Sequence, residues 1–167
     1  MDRDEMVALW EKHMLYEFGV KDADLAVSTM RVDASVMHLP TMSGGVGREH
    51  LRRYYADVFI PGIPDGTSSE LIARSVGDDF LVEELIMSMP HDREIPFLLP
   101  RLPPTGRTLE VAIAVLVHFD DGLMQSERLY WDQASVLSQV GLLPPEGMPV
   151  AEFAQVAEFL RRQNAAT

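Results

Sequence analysis

Two side chains in the second half of the chain have the types and spacing for proton chemistry: Asp132 and His118. His118 lies in the apolar run LEVAIAVLVHF, and Asp132 closes the run QSERLYWD. Asp120-Asp121-Gly122 between the runs is a hairpin signal, because a type I′ turn needs residues that accept positive φ. Alternation sets Ala112, Ala114, Leu116 and His118 on one strand face, and Val111, Ile113, Val115, Val117 and Phe119 on the other. Tyr130 and Asp132 share a face of the return strand. Two alanines leave volume that a packed core normally fills. The His118 face is therefore expected to wall a cavity, with His118 and Asp132 as its main polar groups. Desolvation raises the pKa of a carboxylate in such a place, making it a base suited to removing a proton beside a carbonyl. An imidazole next to it donates to the developing enolate. Each residue also has a plainer role open to it. Asp132 immediately precedes the helical stretch QASVLSQ, a favoured N-cap position, and a lone histidine on an apolar strand is commonly a satisfied structural residue.

Further candidates surround this pair. Tyr130 is positioned to contact a substrate, and Tyr16 and Trp10 on the first helix to form part of a lid, with core packing as the alternative for all three. His38 ends the first strand and His91 the fourth, both near the cavity mouth. Glu83 and Glu84 fall mid-strand in VEELIM, so alternation sends one inward. A buried carboxylate is costly unless paired or functional, and Glu84 is the candidate second acid of the pocket. His38, His91, His118 and Asp132 lack ligand spacing such as H-x-x-x-H, so no metal is expected. The turn SGGVGRE has neither the dinucleotide-binding glycine pattern nor a P-loop lysine. No G-x-S-x-G elbow is present.

The elements that must hold these residues follow from periodicity. An amphipathic helix over residues 2–18 presents Val7, Trp10, Met14 and Phe18 on one stripe. A short helix, a strand ending before Pro40, a TMSGGVG loop and a third helix with Leu51, Tyr55 and Val58 inward come next. Two hairpins supply four more strands, and a short and a last helix end the chain. Residues 90–107 form a Pro-rich apolar loop whose Phe97, Leu98 and Leu99 must cover a cavity mouth or a second subunit. This order is an α+β plan. The bulky Val111 face also needs cover, which points to a homodimer interface.

At 167 residues with 47% hydrophobic content, the chain has the size of one core-forming domain. A net charge of −12 argues against nucleic acid and anionic membranes as partners. The absence of cysteine rules out a disulfide framework. With a charged N-terminal stretch and no apolar run of bilayer length, the expected location is cytoplasmic.

The ending ERLYWDQASVLSQVGLL, with DASVMHLPTMSGGVGREHLRRYY and LPPTGRTLEVAIAVLVHFDDGLM before it, resembles the SnoaL-like polyketide cyclase branch of the NTF2-like superfamily, which also includes ketosteroid isomerase. The resemblance covers residues 6–143, with residues 144–167 as a C-terminal helical extension. It implies an NTF2-like cone: a strongly curved, mostly antiparallel sheet closed by N-terminal helices around a pocket. It also implies acid/base cyclisation or isomerisation of a small apolar carbonyl- or ring-bearing molecule, with Asp132 as general acid/base, His118 lining the pocket, and no metal or organic cofactor. A non-catalytic small-molecule binding protein and an epoxide- or lactone-opening hydrolase are the alternatives.

Overall fold

Alternating burial along β5 (Thr108–Asp120) sets the architecture. The computed structural model describes residues 1–144 and 146–164. The helices longer than one turn are α1 (Arg3–Met14), α2 (Ala23–Ser28), α3 (Arg48–Tyr54), α4 (Gln133–Gln139) and α5 (Phe153–Asn164). The other strands are β1 (Met30–His38), β2 (Ser43–Val46), β3 (Ser68–Val76), β4 (Phe80–Pro90) and β6 (Leu123–Trp131). They form one curved, unclosed sheet in the order β2-β1-β6-β5-β4-β3, in which β1 and β6 run parallel and every other pair antiparallel. Among the described residues no helix is long and apolar enough to cross a membrane.

Local chemistry explains the element ends. Asp2 caps α1, accepting from the Glu5 backbone N–H at 2.9 Å while Glu5 accepts from the Asp2 N–H at 2.8 Å. Such a cap contributes about 1 kcal/mol. Asp121 and Gly122 take φ of 53° and 76°, the type I′ geometry that the Asp-Gly pair favours. The TMSGGVG segment, expected as loop, contains β2, an edge strand hidden by its glycines. At Gly44 a Cβ would lie 2.1 Å from the Val36 carbonyl oxygen, so only glycine lets β2 pair so closely with β1.

Two helices pass into π-helical turns, α1 at Leu15–Val20 and α3 at Tyr55–Phe59. Each turn takes one extra residue and re-aims the side chains after it. The deeply buried stripe of the first helix is Met6, Trp10, His13 and Glu17, whereas Val7, Met14 and Phe18 are only half-buried.

The expected strand faces are reversed. Val111, Ile113, Val115, Val117 and Phe119 form the concave inner face and share one core with Met6 and Trp10. Helices of the same chain cover this face, so it is not left over for a dimer interface. Ala112, Ala114, Leu116 and His118 point to the outer face. There the small alanines border a shallow cleft with Tyr130 and with Leu160 of α5. That helix rests Ala157 on Ile72 and Ile86.

A bulge sets the parity of β6. His118 pairs with Ser126 but Phe119 with Met124, which leaves Gln125 as an extra residue. Beyond it Glu127, Leu129 and Trp131 turn inward, opposite Val117, Val115 and Ile113, while Tyr130 turns out.

The Pro-rich segment folds over the end of the sheet. His91 and residues 106–107 pair through backbone hydrogen bonds at its base. Thr41 Oγ1 donates to the Phe97 carbonyl at 2.7 Å and Gln133 Nε2 to the Leu98 carbonyl at 3.1 Å. Ile95, Phe97, Leu98 and Leu99 are buried. Gln139 ties α4 to β5, its Oε1 accepting from Glu110 N at 2.9 Å and its Nε2 donating to Glu110 O at 2.8 Å. That pairing gives the Gln of the Q-x-G-L-L ending a structural task.

Candidate functional site

Between the inner sheet face and the first helix lies an apolar hollow. Its walls include Trp10, Phe18, Phe59, Phe97 and Trp131, three methionines (Met14, Met87, Met89), and the polar residues Glu17, His38 and Glu127. Its cavity volume is only about 30 Å³. That is room for one or two waters; a larger ligand must move wall side chains. Methionines are the residues best able to do so.

A buried acid–base cluster stands at the head of this hollow. His13 Nε2 lies 2.9 Å from Glu17 Oε1, 3.7 Å from Glu127 Oε2 and 3.3 Å from the Tyr55 hydroxyl. Its Nδ1 faces Thr29 Oγ1 at 2.7 Å and the Ala26 carbonyl at 3.2 Å. Thr29 already gives its own hydroxyl proton to Ala26 O at 2.6 Å. Its oxygen therefore accepts from His13, which puts a proton on Nδ1. All three titratable residues are buried, Glu127 at 4% exposure. Burial opposes charge on His13, but the charges and hydrogen bonds of Glu17 and Glu127 outweigh it and push its pKa up to about 10. Burial, reinforced by the Glu17 charge, pushes the Glu127 carboxyl above its usual range, against the pull of His13. Burial first, then the glutamate charges, pushes the Tyr55 phenol well up.

His38 forms a second polar point. Its Nδ1 lies 3.1 Å from the Ser43 carbonyl and 3.2 Å from the Tyr54 hydroxyl. A carbonyl only accepts, so Nδ1 carries the proton and Nε2 is the basic nitrogen of the neutral ring. Burial lowers the His38 pKa, partly offset by the Glu127 charge.

The residues singled out from the sequence divide sharply. Trp10 and His38 line the hollow. Asp132 does not: it is exposed and caps α4, its Oδ1 accepting from Ala134 N at 2.9 Å and Ser135 N at 3.3 Å. His118 stands on the outer face, its ring 5.9 Å from that of Phe80. Tyr130 is 45% exposed on that face. Tyr16 is half-buried outside the hollow, with Lys12 over its ring. Glu84 is exposed, and Glu83 is the inward acid, held by Arg74 Nε at 2.6 Å. His91 is buried within the Pro-rich segment, where its Nδ1 meets Thr105 Oγ1 at 2.9 Å.

The residues missed are His13, Glu17 and Glu127. The first two carried a readable signal, being a polar i,i+4 pair on the stripe that holds Trp10. Glu127 was hidden by the reversed faces: it alternates with Tyr130 and turns inward once the branched face of β5 is the inner one.

No protein-family model matches the chain, and no curated protein matches it at a significant level. Solved structures do. A SnoaL-like polyketide cyclase candidate from Jannaschia sp. is 20% identical, covers 85% of this chain and 92% of its own, and superposes with a TM-score of 0.64. A ketosteroid isomerase-like protein from Catenulispora acidiphila, solved with trimethylamine, is 15% identical over 84% and 97%, with a TM-score of 0.62. AclR, a candidate hydroxylase from Streptomyces galilaeus, is 16% identical over 99% and 100%, with a TM-score of 0.64. The chain therefore has the NTF2-like, ketosteroid isomerase-like fold.

Proposed function

We propose that the chain is an acid–base enzyme for a small, largely apolar carbonyl- or ring-bearing molecule, with Glu127 as the group that moves the proton. The observation that carries this reading is the Glu127 carboxyl itself. It is buried among hollow-lining residues, and its Oε2 has no hydrogen-bond partner among the described residues. Raised proton affinity suits it to take a proton from the carbon beside a carbonyl and return it elsewhere on the same molecule. Such a shuttle isomerises a double bond or closes a ring by aldol addition with no net proton change. The charges of His13 and Glu17 tune this carboxyl. His38 Nε2 offers a second basic nitrogen at the wall. Phe97 and Leu98 add apolar wall to the hollow, and a site poor in water strengthens these interactions.

The test uses a generic probe, hydrogen–deuterium exchange at the α-carbons of cyclohexanone in deuterated water, followed by NMR. The chain is expected to accelerate exchange. Glu127→Gln is expected to abolish the acceleration, a loss of about 100-fold or more, and Asp132→Asn to retain it. Exchange that survives Glu127→Gln and is lost in Asp132→Asn overturns the reading.

A second reading is hydrolytic opening of a strained ring. Glu17 and Glu127 flank one imidazole nitrogen beside a water-sized space, the layout needed to activate water. Oxygen-18 from solvent in an epoxide-derived diol distinguishes it from proton shuttling.

A further inference from the structure

The donor atoms of His13, Glu17 and Glu127 all lie within 4.8 Å of one another. Protons alone leave this group incompletely satisfied. A hydrogen on His13 Nε2 reaches Glu17 Oε1 at 2.9 Å but lies on a nitrogen 3.7 Å from Glu127 Oε2, beyond hydrogen-bond distance. That buried oxygen has no hydrogen-bond donor among the described residues. Leaving a buried carboxylate oxygen without a partner is costly. A single cation between the three donors would bond to all of them.

The imidazole is also held as metal-bound imidazoles are held. Nδ1–H donates to Thr29 Oγ1, whose own proton is fixed on the Ala26 carbonyl. This outer hydrogen bond fixes the ring and turns Nε2 toward the two carboxylates.

We propose that His13 Nε2, Glu17 Oε1 and Glu127 Oε2 form a binding site for one divalent first-row transition ion, of which Zn²⁺ is the representative. The donor set decides the class. Imidazole nitrogen with carboxylate oxygen suits Zn²⁺ and its neighbours, whereas Mg²⁺ and Ca²⁺ prefer all-oxygen shells. Two carboxylates match the double positive charge. Binding replaces the proton on Nε2, which leaves to solvent. Three protein donors leave a fourth position for water or a ligand oxygen from the hollow that Glu17 and Glu127 line. The site shares Glu127 with the acid–base reading but does not depend on it.

The experiment is calorimetric titration of the full, chelator-treated chain with Zn²⁺, with Mg²⁺ as control, and Co²⁺ titration followed by visible absorption. One equivalent of Zn²⁺ is expected to bind, Mg²⁺ to give no saturable binding, and Co²⁺ to show d–d bands. Glu127→Gln is expected to weaken Zn²⁺ by at least tenfold. Thr29→Val, which removes the outer hydrogen bond together with the contacts of the hydroxyl to the Ala26 carbonyl and Met124 Sδ but leaves all three donors in place, is expected to weaken it about 10–100-fold. Should Glu127→Gln fail to fold by circular dichroism, Thr29→Val decides alone. No saturable Zn²⁺ binding, or Zn²⁺ affinity unchanged in the folded variants, overturns the proposal. Glu127-dependent ketone exchange without metal binding removes this inference and leaves the acid–base reading standing. One-to-one Zn²⁺ binding without exchange does the reverse.

Discussion

The two faces of one sheet treat charge in opposite ways. On the inner face, Glu127 and Glu83 are buried and each meets a cationic partner, His13 or Arg74. On the outer face, Glu84 and Tyr130 sit exposed, and His118 is half-exposed against Phe80. Asp132, at the end of the same strand, does the ordinary work of a helix cap. Buried charge is tolerated only where it is paired or used. The contrast therefore points to the inner face as the place for chemistry, although the outer residues look equally chemical in the sequence.

The largest contrast is expected from removing the buried cation. His13→Leu leaves Glu17 and Glu127 without a positive partner and is expected to destabilise the fold by about 3–5 kcal/mol in urea unfolding. A loss below 1 kcal/mol would show that the two carboxylates are not paired as described.

Next in size is a pH effect with a definite sign. His13 has its pKa raised from 6.5 to about 10, so its contribution is fully present below the unfolded value. That contribution is lost as pH rises through the folded value. The raised Glu127 pKa acts in the same direction, because the folded state holds its proton more tightly. Stability is expected to fall from neutral pH toward about pH 10, with a shallower slope in His13→Gln. A flat profile across that window breaks the comparison.

Asp132→Ala is expected to cost about 1 kcal/mol, the worth of a helix cap, with ketone exchange unchanged. The smallest effect belongs to the outer histidine. His118→Leu is expected to stay within about 0.5 kcal/mol of the parent protein, and a drop like that of His13→Leu would erase the distinction between the faces.

The fold was largely legible because periodicity and turn chemistry announce it. The β5–β6 hairpin, its Asp-Gly turn, the N-terminal amphipathic helix and the last helix all lie where their patterns put them. The site was only partly legible. Of the residues singled out from the sequence, Trp10 and His38 line the hollow. The faces of β5 were assigned from its alanines, yet the branched residues opposite them fill the core, and the alanines make room beside α5. Tyr130 does share the face of Ala114, as its spacing implied, so reversing β5 turns Tyr130 outward with it and sends Glu127, Leu129 and Trp131 inward, past a bulge at Gln125. Pattern alone does not reveal a bulge, and the π-helical turn that carries Glu17 is equally silent. The pair His13 and Glu17 was within reach, since polar residues on an apolar helical stripe are themselves a signal.

The most direct measurement is the ionisation of His13 itself, read from its ring nitrogen shifts by NMR in metal-free protein labelled at histidine. The ring is expected to remain an imidazolium through neutral pH and to titrate near 10, with the signal lost from His13→Gln. A ring that titrates near its ordinary value of 6.5 would contradict a buried, charge-paired cluster at the head of the hollow.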